Sequence, residues 1–130
     1  MNTTRKELRL SLLIGRMSVC RLDPTAEIPD WAITGDFFSI TRTTDELSVV
    51  CPEEAVPEDV RGERGWRVLK LEGPFEFSEV GVLASLTAPL AEASISLFAL
   101  STYDTDYVLV KEEQLESAVA ALRGRGHEVL

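Results

Sequence analysis

The amino-acid sequence contains an internal repeat, which restricts the chain to folds built from two similar units. When the chain is shifted by 60 positions, residues 37–53 align with residues 97–113 without a gap. Three of the aligned pairs are identical: Phe38 with Phe98, Val50 with Val110 and Glu53 with Glu113. Other aligned pairs keep their chemical character: Ile40 with Leu100, Thr41 with Ser101, Glu46 with Asp106 and Val49 with Leu109. This register predicts that one supersecondary unit occurs twice.

Each aligned segment has the pattern of a β-hairpin. Residues 37–42 and 46–51 are short runs rich in β-branched and aromatic side chains, and residues 43–45 join them as a turn. The second hairpin is predicted over residues 95–110, with its turn at residues 102–105.

Two helices are predicted in the second half of the chain. Over residues 80–93, leucines recur on one helical face, at Leu83, Leu86 and Leu90. Pro89 lies inside this segment and cannot donate a hydrogen bond to the carbonyl of Ser85, so we expect a kink there. Residues 112–123 form an amphipathic helix that begins with two glutamates and ends at Arg123.

Strands complete the pattern of the second half. Residues 66–72 form a predicted strand that ends at Gly73 and Pro74, and residues 127–130 can add a short last strand. The order of elements is therefore strand, helix, strand, strand, helix, strand. This order is the ferredoxin-like plan.

The first half follows the same order in a degraded form. Residues 8–22 alternate as a strand that Gly15 interrupts. The helical segments, near residues 29–34 and within residues 52–64, are short because prolines and glycines punctuate them. We therefore predict an α+β fold of the ferredoxin-like type, with two βαββ-type units in tandem and shortened helices in the first.

Composition and charge narrow the function classes. The 130 residues are 45% hydrophobic and 27% charged, which supports a packed core. The net charge of −9 repels phosphate backbones and anionic bilayers, so we expect no nucleic-acid partner and no membrane association. The first residues lack the apolar segment of a signal peptide, and we expect a cytoplasmic protein. Cys20 and Cys51 are predicted to be buried free thiols.

A family resemblance is carried by the second half of the chain. Its residues are Gly73 and Pro74, the segments 77–84 and 89–98, and the segment LSTYDTDYVLV at 100–110. They resemble an ACT domain, a regulatory module that binds amino acids and has the βαββαβ fold. The subfamily to which they are similar occurs in cytosolic arginine sensors (the CASTOR family) and in small bacterial tandem-ACT proteins. Regulatory domains of aspartate kinases are more distant relatives.

The resemblance covers the two halves of the chain unequally. It is strong over residues 66–126 and weak over residues 8–60, so we predict a degenerate ACT-like unit at 1–65 and an ACT domain at 66–130. Most ACT domains have glycine where Ser94 stands, a difference that we expect to affect only the local turn.

The resemblance also implies a ligand site near the turn after the first strand of the ACT unit. The matching positions are Glu79, Gly81, Val82, Thr102, Tyr103 and Asp106. Backbone N–H groups at a helix start suit the carboxylate of an amino acid. Glu79 and Asp106 offer acceptors for its ammonium group. The alternative is a plain helix entry with Ser78 as the N-cap and Glu79 in the first turn.

No set of residues for catalysis or metal binding is evident in the sequence. His127 is the only histidine, and its place near the end of the chain predicts an exposed side chain. Asp104 and Asp106 lack a third carboxylate beside them, which makes a poor cation site. We therefore expect no enzyme activity, no metal and no cofactor.

Two functions remain open from the sequence. The first is a non-catalytic regulatory protein that binds a small molecule, most simply an amino acid, and the acidic composition favours a cationic or neutral one. The alternative is a protein–protein interaction module that keeps the ACT scaffold without a functional ligand pocket. In both, open sheet edges with few lysines predict a homodimer.

Overall fold

The computed structural model describes residues 7–72 and 81–130. Within these ranges the strands are β1 Arg9–Leu12, β2 Met17–Leu22, β3 Ser39–Arg42, β4 Leu47–Pro52, β5 Gly62–Leu71, β6 Leu97–Ser101, β7 Asp106–Lys111 and β8 Glu128–Val129. The α-helices are α1 Val82–Glu92 and α2 Leu115–Gly124, and short 3-10 helices cover Asp30–Ile33, Glu53–Ala55 and Glu112–Gln114.

The chain divides into two compact units. Residues 15–66 form the first, which we call the inserted unit. Residues up to Ile14 and from Arg67 onward form the second, which we call the terminal unit. The amino-terminal strand β1 therefore belongs to the same unit as both α-helices. The predicted boundary between ACT-like segments, at residues 65 and 66, stays a prediction.

The sheet of the terminal unit has the strand order β6-β7-β5-β1-β8. Strands β6 and β7 form the predicted hairpin, from the pair Leu97 and Val110 to the pair Ser101 and Asp106. Strand β1 lies between its neighbours, antiparallel to β5 and parallel to β8. In a ferredoxin-like sheet the fourth strand lies beside the first, and here β1 takes that position and displaces β8 outward.

The core of the terminal unit lies between this sheet and the two α-helices. Because side chains alternate across a strand, every second residue of β1, β5 and β7 faces the helices. The fully buried side chains of this core are Leu10, Leu69, Leu71, Leu86, Leu90, Val110 and Ala118. Helix α1 continues past Pro89, which is buried. After the helix, Ser94 has a left-handed φ of 61°, a conformation that favours glycine and explains the family's usual residue there.

The inserted unit repeats the same strand order with shorter helical segments. Its strands run in the order β3-β4-β2-β5, where β5 contributes its first residues. The hairpin of β3 and β4 is as predicted, and 3-10 helices stand where the terminal unit has α-helices. Gly62 is required by packing, since a Cβ there would lie 2.7 Å from the backbone oxygen of Val19. The tandem ferredoxin-like fold with shortened helices in the first unit is confirmed.

The structure corrects the period of the repeat from 60 residues to 59. The hairpin pairs Ser39 with Val50 in one unit and Phe98 with Leu109 in the other, so both partners differ by 59 positions. The 3-10 helices after the hairpins, Glu53–Ala55 and Glu112–Gln114, differ by the same number. The predicted pairs, such as Phe38 with Phe98 and Glu53 with Glu113, are therefore wrong by one residue. In a strand, an offset of one residue moves every side chain to the other face of the sheet. The few identical apolar pairs in the sequence could not exclude an error of this size.

The predicted helices and strands of the second half are confirmed with shifted ends. The strand expected at 66–72 is longer and covers Gly62–Leu71. The helix expected at 112–123 begins as a 3-10 turn and becomes α-helical at Leu115. The helix expected at 80–93 is α1, and the first of its expected residues lies outside the described ranges.

Candidate functional site

The amino-terminal end of α1 is one part of the candidate site. Gly81 precedes the helix with a left-handed φ of 85°, and among the described residues no side chain caps this end. The N–H groups of the first helical residues have no intrahelical partner, because no turn of the helix precedes them. The first turn also contains no acidic residue that would offset the helix dipole. Both the N–H and the hydroxyl of Ser85 donate to the carbonyl of Gly81, at 2.9 and 2.8 Å. This end therefore presents N–H groups without intrahelical partners and the positive pole of an 11-residue helix.

Gly81 is required at this point by backbone conformation. A Cβ built on it would meet none of the described residues within 4 Å, whereas its left-handed φ favours glycine. Val82, by contrast, is buried in the core of the terminal unit and anchors the helix start. Glu79, Ser78 and residue 77, which the sequence analysis placed at the same turn, lie outside the described residues.

The turn between β6 and β7 is the second part of the candidate site. The N–H of Thr102 donates to the carbonyl of Thr105 at 2.8 Å, and the N–H of Thr105 donates to the hydroxyl of Thr102 at 3.3 Å. The hydroxyl of Thr105 donates to the carbonyl of Leu71 at 2.7 Å. Thr105 is buried. These bonds fix the turn against Leu71, the last residue of β5.

Asp106 and Tyr103 have different surroundings within this hairpin. The hydroxyl of Ser101 donates to one carboxylate oxygen of Asp106 at 2.6 Å, across the hairpin. Asp106 is half-buried, and a carboxylate has further acceptor positions beyond this bond. Tyr103 is 79% exposed at the tip of the turn. The structure therefore brings Thr102, Tyr103 and Asp106 together in one hairpin, while Gly81 and Val82 begin α1.

His127 is a buried residue that the sequence analysis wrongly placed on the surface. Its side chain is only 4% exposed. Its Nδ1 accepts the backbone N–H of Leu8 at 3.1 Å, and its Nε2 lies 3.0 Å from the carbonyl oxygen of Ser85. The error arose because both contacts are distant in sequence, so nearness to the chain end gave no sign of them. The sequence signal that could have indicated the burial of His127 is Pro89. A proline at this position leaves the carbonyl of Ser85 without a helical donor, so that a donor from elsewhere in the chain is favoured.

The inserted unit contains the thiols of Cys20 and Cys51. Cys20 and Cys51 are free and buried, as predicted. Burial raises the pKa of the Cys51 thiol from 9.0 to about 11, and the neighbouring Cys20 adds to the increase. Because the thiolate is the reactive form, this shift disfavours Cys51 as a nucleophile.

The described part of the chain contains neither a metal-binding cluster nor a membrane-spanning helix. In residues 7–72 and 81–130, no group of three or more His, Cys, Asp or Glu side chains is arranged to hold a metal ion. In the same ranges, no helix has the length and apolar character needed to cross a membrane.

The fold and the sequence together identify the class of the protein. A family model described as ACT domain matches residues 61–124, and a second model, described as an N-terminal domain, matches residues 15–59. A crystallised protein from Agrobacterium tumefaciens is 42% identical, with a TM-score of 0.91, and the match covers 96% of this chain and 93% of that one. Residues 61–124 are therefore an ACT domain.

Two further relatives narrow the resemblance. The human protein named cytosolic arginine sensor for mTORC1 subunit 1 is 33% identical over 98 residues. That match covers 68% of this chain and 30% of the human protein, so the chain spans about a third of this relative. A crystal structure of aspartokinase alpha and beta subunits shares the fold, with a TM-score of 0.61 at 18% identity over 89% of this chain and 95% of that one.

Proposed function

We propose that this protein is a non-catalytic regulatory module that binds a small molecule, most simply a free amino acid. The observation that carries the proposal is the start of α1 at the exposed Gly81, where the N–H groups of the first helical residues have no intrahelical partner. A helix start of this kind suits a carboxylate. The relative named as an arginine sensor supports the same ligand class.

The proposed binding mode uses the two parts of the site described above. The ligand carboxylate accepts N–H groups at the first turn of α1, beside Gly81 and Val82. Its ammonium meets the carboxylate of Asp106. The hydroxyl of Ser101 donates one hydrogen bond to that carboxylate, which keeps further acceptor positions for the ammonium. Thr102 shapes the turn, and Tyr103 can cover the ligand from the tip of the hairpin. Glu79, outside the described residues, is proposed as a second acceptor.

The charge of the chain refines the ligand class. At a net charge of −9, a cationic or neutral amino acid approaches more readily than an acidic one. We further propose that the protein acts in the cytoplasm, that it uses neither a metal nor a cofactor, and that it catalyses no reaction.

A homodimer is part of the proposal. Strand β6 pairs with β7 on one side, and in the described residues no strand pairs with its other edge. An open edge of this kind must be protected or paired. Light scattering at tens of micromolar protein should give a mass of twice 14.4 kDa, and a mass of 14.4 kDa contradicts the dimer.

The second candidate function is an interaction module without a ligand. It is favoured by exposed apolar side chains, of which Ile14 is 95%, Ile33 is 51% and Phe38 is 43% exposed. Such side chains suit contacts with another protein. This function predicts that no free amino acid stabilises the protein.

A thermal-shift screen of the twenty free amino acids separates the two functions. A ligand that binds only the folded state raises the unfolding midpoint. We expect such an increase for wild type, its loss in Asp106→Ala, and its retention in the control Asp104→Ala, which lies in the same turn. No increase with any amino acid contradicts ligand binding, and equal increases in all three proteins contradict the proposed role of Asp106.

A further inference from the structure

His127 connects three elements of the terminal unit. Its backbone N–H donates to the carbonyl of Leu122 near the end of α2, at 3.2 Å. Its Nδ1 accepts the N–H of Leu8, just before β1, and its Nε2 lies 3.0 Å from the carbonyl oxygen of Ser85 in α1. The side chain is almost completely buried. The proposed ligand-binding residues do not include it, so its role requires its own explanation.

The carbonyl of Ser85 is the atom that explains the contact with α1. In an α-helix the N–H of residue i donates to the carbonyl of residue i−4, so Ser85 would normally be paired with residue 89. Residue 89 is proline and has no N–H. A partly buried carbonyl without a donor is unfavourable. The imidazole of His127 supplies, from outside the helix, the donor that Pro89 removes.

The two contacts also define the protonation state of the ring. The carbonyl of Ser85 can only accept, so Nε2 must carry the hydrogen, and the N–H of Leu8 can only donate, so Nδ1 must be the acceptor. Both bonds are satisfied by the neutral imidazole with its hydrogen on Nε2.

The contact reaches the proposed ligand site through one residue. Ser85 donates two hydrogen bonds to Gly81, from its N–H and from its hydroxyl, and accepts one from His127. We propose that His127 is a positioning residue that replaces the donor missing at Pro89 and thereby holds the first turn of α1 in the orientation that binds the ligand. The effect on the ligand rests on the proposed function, whereas the pairing of His127 with Ser85, in place of the donor missing at Pro89, does not.

A double-mutant cycle tests the pairing without any ligand. In His127→Asn the amide oxygen can replace Nδ1, but the side chain is too short to reach Ser85, whereas in His127→Gln the amide nitrogen can replace Nε2. We expect His127→Asn to lower the folded-to-unfolded ratio about tenfold, and His127→Gln to lower it less. In the Pro89→Ala background, where the helix has its own donor, the effect of His127→Asn should fall to threefold or less, about the error of additivity. Equal effects in both backgrounds overturn the pairing.

Two further readouts separate positioning from general stability. Because His127 is the only histidine, its ring nitrogens can be assigned directly by 15N NMR, and a hydrogen on Nδ1 instead of Nε2 overturns the proposal. Amide exchange at Ser85, whose N–H is bonded to the carbonyl of Gly81, should accelerate more in His127→Asn than exchange in β7 does, and uniform acceleration contradicts a local role.

The ligand clause is tested with the twenty free amino acids as probes. If one of them binds wild type, its affinity should fall about tenfold or more in His127→Asn and recover in the double variant with Pro89→Ala. Unchanged affinity in His127→Asn overturns the link to the site. A screen without any binding contradicts the proposed function and the ligand clause, while the double-mutant cycle still decides the pairing.

Discussion

Replacing Gly81 by alanine isolates the backbone requirement at the start of α1. Gly81 and Gly124 are both exposed, and a Cβ at either would meet none of the described residues within 4 Å. They differ in conformation, because Gly81 has a left-handed φ of 85° whereas Gly124 is the last residue of α2 and has no positive φ. A comparison of the two substitutions therefore measures conformation without steric overlap.

The expected magnitudes follow from this difference. A residue with a Cβ in the left-handed region destabilises the folded state by about 1–2 kcal/mol. Replacing glycine also lowers the conformational entropy of the unfolded chain, which stabilises the protein by about 0.4–1 kcal/mol. Gly81→Ala should therefore destabilise the protein by about 1 kcal/mol. Gly124→Ala introduces no left-handed residue, so it should stabilise the protein by about 0.4–1 kcal/mol.

Urea denaturation followed by circular dichroism measures both values in one experiment. The two variants should shift the midpoint in opposite directions without a change in slope. If Gly81→Ala stabilises the protein as Gly124→Ala does, the left-handed start of α1 is wrong, and with it the open arrangement of N–H donors on which the ligand site depends.

Three further predictions concern the core, one turn and one thiol. Leu86→Ala should lower the free energy of unfolding by about 2–5 kcal/mol because Leu86 is fully buried. Leu83→Ala should lower it clearly less in the same denaturation assay because Leu83 is half-buried, and equal losses contradict the orientation of α1. Ser94→Gly should stabilise the protein by about 0.5–1 kcal/mol because it relieves a left-handed serine, and a lower midpoint contradicts this conformation. Burial raises the pKa of the folded Cys51 thiol to about 11, so between pH 9 and 11 the unfolded thiol loses its proton first. The free energy of unfolding should therefore fall over this range by about 2 kcal/mol more in wild type than in Cys51→Ala, and parallel pH profiles contradict the shift.

Local patterns made the hairpins and helices predictable from the sequence. The turn at Thr102 and Thr105 and the apolar stripe of α1 are set by neighbouring residues, and the structure has them where the pattern indicates. The period of the repeat was missed by one residue because alternation in strands leaves the register to hydrogen bonding. The insertion of β1 between β5 and β8 was missed because both partners lie far along the chain.

The candidate site was predictable only in part. Gly81 was selected through the family resemblance, but the reason for glycine, a left-handed φ, comes from the structure. His127 was missed because its contacts with Leu8 and Ser85 are 119 and 42 residues away in sequence. Nothing local distinguishes a buried histidine near a chain end from an exposed one.

The central claim is that a free amino acid binds at the start of α1 beside the hairpin of β6 and β7. A 15N–1H NMR titration with each of the twenty amino acids tests it most directly, because it reports binding and its location together. We expect one cationic or neutral amino acid to shift saturably the amide signals of residues 81–84 and 102–106. The absence of saturable shifts with every amino acid, or shifts confined to other residues, would contradict the claim.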